Sequence, residues 1–414
     1  MKLITPVLFL SLLLNSVVVF SQTNTSYPYS IYGIGDIKPA GTGQSRAMGG
    51  AGIALASNLA INNINPASYH AFDSLSFMLN AGLDMKFSKY YDQYQSQKNT
   101  TAGIGYFSLG FRFTKWWANC IGIAPYSSVG DNINTTKAIE GTSNSFNVNL
   151  QGTGGLNQYY WGNSFTLFKN FSIGVNAAYL LGRIKQTQDL TSNYFSGTLE
   201  TQDEVTVSKI YLSYGLQYAF DLGKKMKWTV GAIYGAKSNL LLSHQMIILG
   251  NAADTLESNV LNTSTFTLPQ YYGVGASVKL ADKLLVTADY RFYQWSQAVS
   301  TTPGVKYVNS TNYYLGAEWL PSTSFRSPYI AKIKYRAGGY LNNSYLQLSG
   351  NQIQDMGLSA GLCFPLINHL SLSVAYSIGQ RSSVKSSGLI SENYQTLLFD
   401  ITLGDLWFIK PKFN

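Results

Sequence analysis

From Leu75 onward apolar and polar positions alternate. Leu75, Phe77, Leu79, Ala81, Leu83, Met85 and Phe87 form one set, and Ser76, Met78, Asn80, Gly82, Asp84 and Lys86 fall between them. Successive side chains of a strand point to opposite faces. A two-residue period held this long sets one face against lipid and the other against a polar interior. The pattern returns in Phe171, Ile173, Val175, Ala177, Tyr179 and Leu181 against Ser172, Gly174 and Asn176. It returns again in Leu370, Leu372, Val374, Tyr376 and Ile378 against Ser371, Ser373 and Ser377. With its turn residues, the pattern predicts strands near 74–88, 101–114, 117–130, 143–168, 171–188, 201–221 and 226–246. Seven more are predicted near 264–280, 284–298, 309–320, 329–343, 353–366, 370–382 and 392–406.

The connections alternate too. Lys115-Trp116, Lys169-Asn170, Leu222–Lys225, Ala281–Lys283, Pro321–Pro328 and Ile367–His369 read as short turns. Longer polar segments lie near 89–100, 131–142, 189–200, 247–263, 299–308, 344–352 and 383–391. An even number of strands, about fourteen, with both ends on one side, is the arrangement of bacterial outer-membrane barrels. The predicted class is all-β, a transmembrane antiparallel β-barrel over residues 74–414.

Composition narrows the alternatives. Charged residues are 12% of the chain, about half the share typical of soluble domains. Tyr (30), Phe (21) and Trp (7) are too abundant for a disordered chain. Past the leader no apolar run approaches the roughly 20 residues of a membrane helix. A soluble β-sandwich would use shorter strands and carry charge on its exposed faces. Residues 1–21, MKLITPVLFLSLLLNSVVVFS, place Lys2 before an apolar stretch and small residues before Gln22, the pattern of a cleaved signal peptide. The predicted location is the cell outer membrane, with lipids and lipopolysaccharide as surroundings. The net charge of +9 is dispersed along the sequence, which favours anionic headgroups over nucleic acid as its counterpart. Cys120 and Cys363 are far apart and read as small apolar residues.

Residues 22–73 do not alternate. They contain Gly49-Gly50-Ala51-Gly52, the apolar Ile53–Leu55, Asn62-Asn63 and Asn65-Pro66-Ala67. About fifty residues are too few for an independent core. Inside a barrel they could satisfy their backbone polar groups against the wall, so this segment is predicted to be an N-terminal hatch in the lumen.

Three stretches resemble the FadL-type outer-membrane protein family, which includes the secretion-associated PorV proteins. The first is Ser45–Ala56 with Gly49, Gly50 and Gly52, closed by Asn65, Pro66 and Ala67. The second is Gly154–Tyr160 followed by Ser172–Tyr179. The third is Leu268-Pro269 with Tyr272–Gly275, Ala288–Arg291 and Trp295. The resemblance implies a fourteen-stranded barrel with an N-terminal plug. It also implies a kinked third strand that opens the wall sideways for a hydrophobic ligand, or a role beside a secretion or assembly complex. The chain departs from the common pattern in ending Lys412-Phe413-Asn414 rather than on an aromatic residue.

Little in the sequence suggests catalysis. His70, His244 and His369 are isolated, whereas metal sites want clustered ligands. Gly33-Ile34-Gly35 and Gly103-Ile104-Gly105 lack the strand–helix setting of a nucleotide loop. No catalytic residue, metal or cofactor is expected. The lumen face is richer: Arg112, Lys209, Asp289, Arg291, Glu318, Lys332, Lys334, Arg336 and Asp400 are predicted to point inward, Lys332, Lys334 and Arg336 along one strand. They read either as a headgroup or carboxylate site or, more simply, as salt bridges that hold the hatch. Pro125, inside the third strand, removes a ladder donor and marks a bulge or an opening. The chain reads as a passive, hatch-gated conduit for hydrophobic, fatty-acid-like compounds; the alternative is a non-transporting accessory barrel of a secretion or barrel-assembly complex.

Overall fold

Wherever the alternation is sustained the chain runs as a strand, and neighbouring strands pair antiparallel until the last meets the first. The computed structural model describes residues 25–138, 145–191, 198–250, 254–300, 304–366, 370–383 and 388–406. The leader 1–21, His369 and the end 412–414 lie outside the described residues. The wall begins with β1 (Ser76–Tyr91), β2 (Ser96–Arg112), β3 (Trp117–Ala138), β4 (Ser145–Phe168), β5 (Phe171–Thr191) and β6 (Thr198–Leu222). Next come β7 (Met226–Gly235 with Ser238–Leu249), β8 (Thr255–Leu268 with Tyr271–Leu280), β9 (Leu284–Tyr293) and β10 (Val305–Tyr307 with Ser310–Trp319). The last four are β11 (Lys334–Leu348), β12 (Asn351–Pro365), β13 (Leu370–Ser383) and β14 (Ser391–Leu406). β14 closes on β1 from Ser391↔Tyr91 to Leu406↔Ser76, which gives a fourteen-stranded antiparallel barrel.

Two interruptions face each other. The break in β7 between Gly235 and Ser238 lies opposite the break in β8 between Leu268 and Tyr271, and each strand resumes in register on its far side. Pro269 sits in the second break and has no N–H to give to a ladder. Other predicted boundaries move. Residues Tyr329–Lys332 form a 3-10 turn before β11, and Trp295–Gln297 form another after β9. Strands also run further into the segments expected to be long loops. β3 to β6 have 22, 24, 21 and 25 residues, although about 9–11 tilted residues cross a bilayer. Their polar ends continue the sheet above the membrane, which shortens those loops.

The outward face carries Leu83, Phe107, Ile121, Trp161, Ile173 and Leu216. An aromatic girdle rims the short-turn side, with Trp116 against Phe165, Tyr218 against Phe220 and Trp319 against Tyr335. Such rings settle at the lipid–water boundary. Inside, the hatch supplies the apolar surface that the polar lumen lacks. Ile61, Tyr69 and Phe72 pack on Met78, Ala118, Cys120 and Tyr160, and Ile53 and Ile64 pack on Ile233. Cys120 and Cys363 are both free and buried.

Candidate functional site

The hatch is held by its own backbone. Gly49 and Gly50 turn the chain at φ +71° and +99°, a region that only glycine enters readily. A Cβ on Gly49 would stand 2.4 Å from the Gly339 carbonyl oxygen. The Gly49 N–H donates to Ser359 Oγ at 2.8 Å. Beyond the turn, the Gly52 and Ile53 N–H groups both donate to Asp289 Oδ2, at 2.7 and 2.9 Å. Gln217 Nε2 donates to the Ile53 and Leu55 carbonyls at 2.9 and 3.1 Å. Asn65 Oδ1 accepts from the Ala67 N–H at 3.0 Å and thereby starts the 3-10 turn Pro66–Ala71. Its Nδ2 donates to the Ile53 and Leu216 carbonyls at 2.7 and 3.1 Å. Pro66 and Ala67 lie flat on Gly174, where a Cβ would come within 2.4 Å of the Ala67 nitrogen. Gly174→Ala is therefore expected to lift this turn off the wall and cost about 1–3 kcal/mol of overpacking, measured by urea unfolding of the folded barrel.

Arg291, Lys334 and Arg336 are paired with acids of the wall. Arg291 Nη2 donates to the Gly50 carbonyl at 2.7 Å and to Asp289 Oδ2 at 3.2 Å, with its guanidinium 4.3 Å from the centre of the Tyr314 ring. Arg336 Nε donates to Glu318 Oε2 at 2.7 Å; Gln44 Nε2 of the hatch donates to the same oxygen, and Lys334 Nζ lies 3.5 Å from Oε1. Asp400 accepts from Asn80 and Tyr106, and Tyr106 in turn accepts from the Gly43 N–H of the hatch. Arg112 sits at the short-turn rim, where Nη1 donates to the Phe72 carbonyl at 2.6 Å.

Lys332 departs from expectation. It belongs to the 3-10 turn, outside the strand, and its amine stands 4.8 Å over the Phe325 ring. A charged row of three along one strand does not form, because β11 starts only at Lys334. His70 Nδ1 meets the Ala67 carbonyl at 2.7 Å and Ser172 Oγ at 3.0 Å, a contact between hatch and wall.

A second charged cluster, not evident from the sequence, lies nearer the long-loop side. Arg381 Nη1 donates to Asp36 Oδ1 at 2.9 Å, Nη2 to Asp355 Oδ2 at 3.4 Å, and Glu392 Oε2 is 3.7 Å away. Lys86 Nζ lies 2.6 Å from Glu392 Oε1. Burial alone would raise the Asp36 carboxyl, but Arg381, Lys38 and Lys86 together outweigh it and hold the group below its ordinary value. Burial brings neighbouring Lys38 down to about 8. These residues lie on separate strands and in the hatch, with no local spacing to announce them.

Above the hatch lies a chamber of about 400 Å³. Tyr126, Tyr211, Tyr271, Tyr293 and Gln158 line it, and so do both strand segments 101–106 and 124–126. Those segments border a gap. The β2–β3 ladder runs only from Phe107↔Ile123 to Arg112↔Ala118. Above it, among the described residues, β2 pairs with β1 alone. Part of the edge that β3 leaves free is taken from inside by the hatch strand Asp36–Ile37, which pairs with Ser128 and Ser127, while the Lys38 N–H donates to the Tyr126 carbonyl at 3.0 Å. Pro125 stands where the ladders change: the β3–β4 register shifts between Pro125 and Ser127. On the lipid side an apolar hollow of about 430 Å³, lined by Phe107, Ile121, Ile123, Trp161 and Ile210, marks the foot of the gap. Tyr160 lines both cavities.

The same architecture occurs in solved structures of low sequence identity. A Pseudomonas aeruginosa FadL homologue is 12% identical, with a TM-score of 0.57 over 90% of this chain and 100% of its own. The Pseudomonas putida toluene transporter TodX is 15% identical, with a TM-score of 0.59 over 90% and 100%. The Ralstonia pickettii toluene transporter TbuX is 15% identical, with a TM-score of 0.53 over 88% and 98%. At these identities the likeness is one of fold. None of the curated proteins matches by sequence. The family model of BamG matches residues 3–414.

Proposed function

The chain belongs to the BamG family of outer-membrane barrels, and from that premise we propose that its lumen chamber receives a hydrophobic compound through the side of the wall. The observation that carries this reading is the early end of the β2–β3 ladder at Phe107↔Ile123, with the chamber lined by both diverging edges. A ligand partitioned into lipid can reach such a site without crossing water, which suits apolar chemistry. The neighbours named as toluene transporters share this fold, and their cargo supports the class of compound. Passage beyond the chamber requires the hatch to move, because Gly49–Ala67 lies across the lumen. Gln158→Trp would fill the chamber beside Tyr126 and Tyr211. A fluorescent fatty-acid analogue titrated into the purified barrel should then bind about tenfold more weakly, a loss near 1.4 kcal/mol. Equal affinity would count against the chamber as the site.

A second reading is that of an accessory barrel, PorV-like, which joins a secretion or barrel-assembly complex and transports nothing. Two observations favour it. Family membership spans nearly the whole chain, whereas the transport channels share only the fold. The hatch is also tied to the wall by main-chain bonds to Asp289, Gln217 and Ser359. Purification in mild detergent followed by mass spectrometry tests it: stoichiometric outer-membrane partners support this reading, and a lone barrel opposes it.

A further inference from the structure

Among the described residues, cations that are dispersed along the sequence gather in space at one rim. The short turns present Lys115, Lys169, Lys224, Lys225, Lys283 and Arg326, all exposed. Among the described residues the ion pair on this rim joins Lys279 to Asp282 at 3.0 Å and leaves those six out. Lys227 stands opposite Asp221 in the β6–β7 ladder, and Asp73 already accepts from Asn58. The opposite rim is different. There Lys89, Lys98, Lys185 and Lys306 stand among Asp92, Asp189, Glu200, Asp203, Asp254 and Glu257, and Arg183 pairs with Glu204 at 3.1 Å.

Depth is set by the aromatic girdle. Lys115 precedes Trp116 and Lys169 follows Phe168, so the cations stand one step outside the rings that mark the lipid boundary. That is the level of lipid phosphates, and long cationic side chains reach it readily. In bacterial barrels the short turns face the periplasm. The anionic lipopolysaccharide lies at the other rim, where charges balance, so it does not account for the excess. We propose that this ring of cations binds the anionic phospholipid headgroups of the periplasmic leaflet. Its cations come from five turns spread around a closed wall. A lipid leaflet surrounds a barrel in this way, whereas an acidic protein would engage one side.

The test uses the full-length barrel reconstituted in phosphatidylcholine bilayers with spin-labelled phosphatidylglycerol or spin-labelled phosphatidylcholine. The fraction of label immobilised at the protein surface gives the preference. The wild type should hold phosphatidylglycerol about three- to fivefold more strongly at low ionic strength, and salt near 1 M should bring the ratio close to one as the Debye length shrinks to about 3 Å. The combined Gln variant at all six positions should show no preference. If that variant fails to fold, the triple variant Lys115→Gln, Lys169→Gln, Lys283→Gln should lose roughly half of it. Equal immobilisation of both lipids by the wild type would overturn the proposal. So would a folded variant that keeps the lipid preference, including one that instead sheds an acidic co-purifying protein.

Discussion

Replacing Arg381 with alanine is expected to cost about 3–5 kcal/mol of stability, the penalty for stripping one partner from a buried ionic site. The guanidinium lies 2.9 Å from Asp36, 3.4 Å from Asp355 and 3.7 Å from Glu392, and 4.5 Å over the Tyr27 ring. Its side chain is 14% exposed and that of Glu392 is 0% exposed, so solvent screens the cluster little. Without Arg381 three carboxylates share one site with Lys38 and Lys86 as the close cations. Two strands and the hatch lose their common anchor. Arg381→Lys keeps the charge but loses the fork that reaches Asp36 and Asp355 together, so it should fall between the two. The pH dependence has a definite sign. Asp36 is held below its ordinary 3.8, so its contribution is complete above that value and disappears as pH falls through the lowered one. Urea unfolding followed by the mobility shift of the folded barrel measures each variant. A loss below about 1 kcal/mol for Arg381→Ala would place it among exposed pairs.

Asp289→Ala is expected to unfasten the hatch. One carboxylate oxygen accepts from two consecutive hatch amides and from Arg291. Each amide left buried without an acceptor costs about 1–3 kcal/mol, and Arg291, fully buried between Asp289 and Tyr314, loses its counter-charge. A combined loss near 2.7 kcal/mol would raise the undocked population about a hundredfold. In planar bilayers this should appear as frequent conducting events in the variant and rare ones in the wild type. Asp289→Asn keeps an acceptor oxygen and should be milder. A variant as silent as the wild type would show that the hatch is held elsewhere, with Gln217, Asn65 and Ser359 as the remaining ties.

The wall was legible because lipid imposes a strict rule. Leu83, Ile173 and Leu216 face hydrocarbon, their neighbours face the lumen, and two-residue alternation fixes strand, register and turn together. The errors fall where that rule lapses. Lys332 reads as a strand residue because it continues the spacing of Lys334 and Arg336, yet Pro328 and the turn behind it delay the strand. The breaks at 236–237 and 269–270 keep the alternation on both sides, so only Pro269 hints at them. Asp289, Arg291, Arg336 and Asp400 were legible as inward charges. The partners of Asp289, Arg291 and Asp400 were not, since Gly52, Gly50 and Asn80 lie more than 230 residues away in sequence. The Arg381 cluster had no signal at all. Pro125 pointed to a disturbance in β3; that β2 and β3 separate above it depends on pairing, which composition does not encode.

The proposed lateral opening into the chamber can be tested by an electron-density map of the barrel bound to a brominated fatty acid. Anomalous density is expected beside Tyr126, Tyr211 and Gln158, with β2 and β3 still parted above Phe107 and Ile123. A β2–β3 ladder continuous to the rim, with no density in the lumen, would contradict it.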